Sequence, residues 1–129
     1  MQSLLIDTHA LLWYGTGDQR IPLPIRLAIA EPSNAVFVSA ATAWEISTKF
    51  RIGKLPEAAT LLTDFAGALQ VHGFEPLPVS IEHAQLAGAL TGDHKDPFDR
   101  MLAAQALLDD LLLVSGDPAL DAFGVRRLW

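Results

Sequence analysis

Acidic residues stand at the ends of apolar runs in this chain, where a carboxylate has the least water to solvate it. Asp7 follows Leu4-Leu5-Ile6, and Asp117 follows Leu112-Leu113-Val114 after the short step Ser115-Gly116. Glu45 lies inside Ala40-Ala41-Thr42-Ala43-Trp44-Glu45-Ile46, while Asp96 and Asp99 open a segment that continues as Met101-Leu102-Ala103-Ala104. A carboxylate in apolar surroundings is costly unless it is paired or bound to a metal. Several within a few ångström of one another raise each other's pKa until a cation neutralises them. Oxygen-only donor sets suit hard ions, Mg²⁺ or Mn²⁺, which keep several waters. Water activated by a metal held in this way can attack a phosphodiester, with the metal also stabilising the charge that develops. Such chemistry needs no Cys, no Ser nucleophile and no His base.

Each acid also has a purely structural reading. Asp7 before Thr8-His9, and Asp96 and Asp117 before a proline, carry the signature of helix N-caps, worth about 0.5–2 kcal/mol each. For Asp96 the cap is the favoured reading. Glu45 has Lys49 four residues on, an orientation that suits a helical ion pair. Adjacent helical residues point in different directions, so Asp99 is expected to face something other than Arg100. Asp121 is a lesser candidate than Asp117 because it lies a turn farther from the apolar run.

Other chemistries are poorly served. The chain has no cysteine, and His9, His72, His83 and His94 show no zinc-binding spacing. The glycines form neither a dinucleotide fingerprint nor a phosphate loop, and Ser115-Gly116 lacks the Gly-x-Ser-x-Gly of a nucleophile elbow. Trp13, Trp44 and Trp129 read as core or interface residues rather than as base-stacking platforms.

The elements that must position these acids can be read from periodicity. Leu4–Ile6, Ala35–Val38 and Leu111–Val114 are short buried-strand candidates, and Val125–Leu128 is a short last one. Phe74–Val79, with two prolines, is an edge strand at best. Helices are expected around Ile25–Ile29, from Thr42 to Phe50 with Ser39 as cap, over Glu57–Val71, over Ile81–Leu90 capped by Ser80, and over Phe98–Leu108. At Ser80 the reciprocal capping-box position holds His83, leaving it unfilled by Glu or Gln. Strands separated by helices give right-handed βαβ units and a mainly parallel sheet between helical layers, a three-layer α/β/α sandwich. In such a sheet ligands bind outside the carboxyl ends of the strands, which is where the acids fall.

With 129 residues, 50% of them hydrophobic, the chain fits a single domain spanning 1–129 with a core of its own. No linker or repeat interrupts it. The basic start of a signal peptide is missing, and no uncharged run reaches the roughly 20 residues of a membrane helix, so the expectation is a soluble cytoplasmic protein. The net charge of −6 argues against non-specific coating of nucleic acid. Setting aside Asp7, Glu45, Asp99 and Asp117 leaves 11 of the 15 acids against 9 bases, a nearly balanced surface.

The segments Leu5-Ile6-Asp7-Thr8-His9-Ala10-Leu11-Leu12-Trp13, Ser39-Ala40-Ala41-Thr42-Ala43-Trp44-Glu45-Ile46 and Asp96-Pro97-Phe98-Asp99-Arg100-Met101-Leu102-Ala103-Ala104-Gln105-Ala106, followed by Val114-Ser115-Gly116-Asp117 and Phe123-Gly124-Val125, resemble the PIN-domain family. Within it they are most similar to the VapC-type toxins of bacterial and archaeal toxin–antitoxin pairs. The resemblance covers nearly the whole chain. It implies a Mg²⁺- or Mn²⁺-dependent ribonuclease, usually a homodimer, inhibited by a cognate antitoxin. By position, Asp7, Glu45, Asp99 and Asp117 match the family's acidic quartet. Asp7, Asp99 and Asp117 would then hold metal, Glu45 would ligate or orient the attacking water, and Asp96 is an additional acid. Ser115 stands where the family usually has Thr and keeps the hydroxyl. Lys49, Arg51, Lys54, Lys95 and Arg100 are the candidates for carrying RNA phosphate to the acids. The alternative is a non-catalytic module of the same fold that acts only through its partner. A phosphatase-like domain with Asp7 as phospho-acceptor is weaker, because Asp7-Thr8-His9 lacks a second Asp two residues on.

Overall fold

Side chains alternate between the two faces of a strand, and in Leu4-Leu5-Ile6 all of them are apolar and fully buried. A strand of that kind has to be covered on both faces. The computed structural model, which describes residues 1–129, shows both covers. Leu4 and Ile6 join one hydrophobic cluster with Leu11, Ile25, Ile29, Ile46 and Leu69. Leu5 joins a second with Leu102, Ala103, Ala106, Leu113 and Phe123.

The sheet comprises β1 (Ser3–Ile6), β2 (Ala35–Ser39), β3 (Glu75–Leu77), β4 (Leu112–Val114) and β5 (Arg127–Leu128). Their order is β3-β2-β1-β4-β5 and every pairing is parallel. Seven α-helices connect them: α1 (Thr8–Thr16), α2 (Leu23–Ala30), α3 (Ala40–Arg51), α4 (Ala59–Thr63), α5 (Phe65–His72), α6 (Ile81–Ala89) and α7 (Pro97–Leu108). The result is the expected α/β/α sandwich. β3, which contains Pro76 and is followed by Pro78, takes an edge as a missing donor requires. No helix is long and apolar enough to cross a membrane.

Two local expectations are corrected. The helix read over Glu57–Val71 is broken into a 3₁₀ turn (Pro56–Ala58), α4 and α5. Asp64 interrupts it with φ −152° and accepts from the Gly67 amide at 3.0 Å, a local side-chain bond that competes with helix continuation. Gly67 permits the closeness, because a Cβ there would lie 2.1 Å from Asp64 Oδ2. At the start of α6 the capping box is filled after all. His83 Nδ1 accepts from the Ser80 amide at 3.0 Å while Ser80 Oγ accepts from the His83 amide at 3.1 Å, so an imidazole does what Glu or Gln usually does.

Because β1 is central and buried on both faces, truncating it leaves a cavity that the neighbouring strands cannot close. Leu5→Ala is expected to lower stability by about 2–5 kcal/mol in urea unfolding, with little change in the denaturant dependence.

Candidate functional site

The parallel topology sends the chain from β1 to β2 and β3 on one side, then back to β4 and β5 on the other. A crevice therefore opens at the carboxyl ends of β1 and β4. Asp7 is the residue after β1, and Asp117 lies three beyond β4. Glu45 is carried in from β2 by α3. Asp99 sits in the first turn of α7, whose N-terminus lies at this edge because α7 feeds the parallel strand β4.

Three of the acids do cap helices. Asp7 Oδ1 accepts from the Ala10 amide at 2.8 Å, Asp117 Oδ1 from Ala119 at 3.0 Å, and Asp96 Oδ1 from Phe98 and Asp99 at 2.8 and 3.2 Å. In each, these bonds use one carboxylate oxygen. Capping and ligation therefore do not compete for the same atom.

Glu45 is 3% exposed, buried yet fully engaged. The Thr8 hydroxyl donates to Oε1 at 2.6 Å, and the Lys49 ammonium donates to Oε2. Asp99 faces not Arg100 but His94, whose Nε2 lies 2.8 Å from Asp99 Oδ2. Burial raises the Asp99 pKa, the His94 bond lowers it, and the charges of Asp96 and Glu45 raise it further, leaving it above the ordinary value. Asp7 is raised as well, by burial first. Ser115, Ala10 and His9 oppose that rise, and the charge of Asp99 adds to it. Burial pulls the Lys49 ammonium down, but its bond to Glu45 and the charges of Glu45, Asp96 and Asp99 outweigh this and hold it above the usual lysine range.

Ser115 joins the remaining pair. It is fully buried, and its Oγ accepts from the Asp117 amide at 3.1 Å, which leaves its proton for Asp7. Asp7 and Asp117 line one cleft together with His9, Trp13, Arg20, Gly116, Pro118 and Trp129. Asp121 is drawn away by Arg127, at 2.9 and 3.2 Å, and its pKa is lowered by that bond.

The basic candidates divide. Arg51, Lys54 and Lys95 are exposed. Lys49 is bound to Glu45. Arg100 donates to the carbonyls of Ala87 at 2.9 Å, His94 at 3.0 Å and Leu90, so its guanidinium ties the end of α6 and the following loop to α7. Sequence reasoning missed Thr8 as the partner of Glu45 and His94 as the partner of Asp99. The only signal for His94 was its place in the loop that leads into Asp96-Pro97.

No three of these side chains, as they stand, converge closely enough to hold a metal ion. The physical reason is that each carboxylate has a local partner: its own helix N-terminus, Thr8, Lys49, His94 or Ser115. The donor set nonetheless fits a hard divalent cation. It is carboxylate oxygen with adjacent hydroxyls, two of its acids are raised by burial and by neighbouring acids, and the cation now among Glu45, Asp96 and Asp99 is a lysine.

A family model described as PIN domain matches residues 4–125. Similar solved structures include VapBC2 from Rickettsia felis bound to a DNA fragment from their promoter. That match has 13% identity and a TM-score of 0.70, and covers 99% of this chain and 98% of that one. FitAcB from Neisseria gonorrhoeae is similar at 18% identity and a TM-score of 0.67, covering 98% and 96%. A domain of a functionally unknown protein from Methanocaldococcus jannaschii matches at 14% and 0.56, covering 100% and 91%. No curated protein sequence matches the chain.

The raised acids set a sign for pH dependence. The folded chain holds the Asp7 and Asp99 protons more tightly than the unfolded chain does. Their contribution to metal-free stability is therefore fully present below about pH 4, the unfolded carboxylate value, and is lost as pH rises through the raised values. Asp18, which its hydrogen bonds to Arg20 hold at about 2, acts in the opposite sense in a lower window. Asp7→Asn keeps a capping oxygen and removes the charge. In chelator at neutral pH it should melt above the wild type, with the difference vanishing at acid pH. Arg100→Met should lower stability by about 1.5–3 kcal/mol through loss of its charged hydrogen bonds, as read by denaturant unfolding.

Proposed function

The chain belongs to the PIN-domain family, and from that premise we propose that it is a metal-dependent ribonuclease and the toxin of a toxin–antitoxin pair. The observation that carries this reading is the gathering of Asp7, Glu45, Asp96 and Asp99 at one edge of the sheet, within range of each other's charge. Asp7, Asp99 and Asp117 would hold Mg²⁺ or Mn²⁺, with Glu45 and Asp96 as further oxygen donors. Such an ion supplies positive charge against the phosphate and lowers the pKa of water.

The chain's own groups do the rest. Glu45, fixed at one oxygen by Thr8 and at the other by Lys49, is oriented to accept a proton from the attacking water. Ser115, whose Oγ accepts from the Asp117 amide, is the hydroxyl that lowers the Asp7 carboxyl against its burial and so adjoins both acids. Arg51, Lys54 and Lys95 offer exposed charge for the RNA backbone without reading its sequence. Lys49, already among the acids, would meet the phosphate closest to the reacting atoms. VapBC2 and FitAcB share the fold and support a cognate protein partner, the antitoxin.

One observation favours the second reading, a non-catalytic module of this fold acting through its partner: no three acids converge as they stand. RNA cleavage separates the two. Protein freed of any partner should degrade total RNA in Mg²⁺ or Mn²⁺, stop in chelator, and lose about 10²–10⁴-fold in rate on Glu45→Gln. Asp99→Asn should be similarly impaired. Absence of cleavage of total or structured RNA with either metal would favour the binding module.

A further inference from the structure

The cleft shared by Asp7 and Asp117 has a second wall that phosphate chemistry does not need. It is an open cleft of about 550 Å³, within the ~300–1,000 Å³ typical of small-ligand sites. Its lining includes Trp13, Trp129, His9 and Arg20 beside the acids. The two indoles lie 6.0 Å apart at 54°, and His9 lies 5.7 Å from Trp13. Both indoles pack on the core with part of their surface and leave part open, so they bound the cleft without filling it. The Arg20 guanidinium, held by both Asp18 carboxylate oxygens, covers one face of Trp13 at 4.5 Å, so Trp129 offers the freer ring to a ligand.

Trp129 is held in a fixed relation to the acids. A Cβ on Gly116 would come 2.9 Å from Trp129 Cε2, so only glycine lets the indole lie against the loop that carries Asp117. The Ser115 amide donates to the Leu128 carbonyl at 3.3 Å, and Arg127 donates to the Ser115 carbonyl at 3.1 Å. Strand β5 and the Asp117 loop therefore move as one piece. A planar aromatic surface at a constant offset from two carboxylates is what stacks a base while its phosphate is held.

We propose that this cleft is a nucleobase-stacking subsite, in which Trp129 and Trp13 hold the base of a nucleotide adjoining the phosphodiester at Asp7 and Asp117, with Arg20 at its rim. The inference rests on the ribonuclease reading for its substrate, and it narrows that substrate to RNA whose bases are unpaired at the cut. A base inside a duplex is already stacked and has no free face to offer. Trp13 and Trp129 thus take a role that the sequence had assigned to core or interface packing. Trp44 does not share it: it is 61% exposed and set edge-on to Phe98, outside this cleft.

The test uses adenosine 5′-monophosphate and ribose 5-phosphate, which share a phosphate and differ by the base, each titrated in Mg²⁺. The readout is the three tryptophan indole N–H signals of the ¹⁵N-labelled protein. Adenosine 5′-monophosphate should shift the Trp13 and Trp129 signals, leave Trp44 in place, and bind about tenfold more tightly than ribose 5-phosphate. Trp129→Leu should reduce its affinity to that of ribose 5-phosphate and raise the KM for single-stranded RNA with little change in kcat. Trp129→Phe should restore most of the loss. Equal affinity of the two ligands for the wild type, or shifts confined to Trp44, would overturn the subsite whether or not the variants fold. Cleavage of RNA together with equal affinity removes the subsite alone. Base-dependent binding without any cleavage upholds the subsite and removes the nuclease.

Discussion

Like charges gathered at the carboxyl edge of a parallel sheet repel one another more strongly as water is withdrawn, and the rest of the structure answers to that repulsion. Asp7 and Asp99 are both raised by burial first, and then by neighbouring acids: Asp99 acting on Asp7, and Asp96 and Glu45 acting on Asp99. Glu45 is buried with both oxygens taken. Lys49, Thr8, His94 and Ser115 have their polar atoms committed to the acids. They give the acids local partners, which is why no three carboxylates converge closely enough, as they stand, to hold a metal ion.

The fold makes this concentration unavoidable. Parallel strands all end on the same edge, and a helix that feeds a parallel strand starts on it. Residues far apart in the chain thus meet there: Asp7 after β1, Glu45 on α3, Asp99 at the start of α7 and Asp117 after β4. The apolar strands β1 and β4 supply the rigidity, since each is covered on both faces and can shift only by exposing core. Arg100 extends that rigidity to the loop. By binding the Ala87, Leu90 and His94 carbonyls, it fixes where His94 meets Asp99.

Much of this was legible because chain-local signals coincide with the global arrangement. Apolar triplets located β1 and β4, with an acid directly after the first and three residues after the second, and Asp-Pro located the start of α7. What escaped had non-local or unusual causes. The break at Asp64 depends on a side-chain bond to the amide of Gly67, hidden within a pattern of apolar spacing that suits one long helix. His83 completes a capping box with a ring nitrogen, so no rule based on Glu or Gln would find it. His94 and Arg100 found partners only when a loop folded back on α7. Trp129 was read as packing because its relation to Asp117 passes through the pairing of β5 with β4 and the bare backbone of Gly116.

The central proposal is that the acids form a site for a divalent cation, with the Lys49 ammonium now among them. Calorimetric titration of Mn²⁺ into the wild type and into Asp99→Asn tests it most directly. The account predicts saturable binding to the wild type, weakening as pH falls into the carboxylate range, and much weaker binding to the variant. Absence of saturable binding to the wild type at neutral pH, or the same affinity in both proteins, would contradict it.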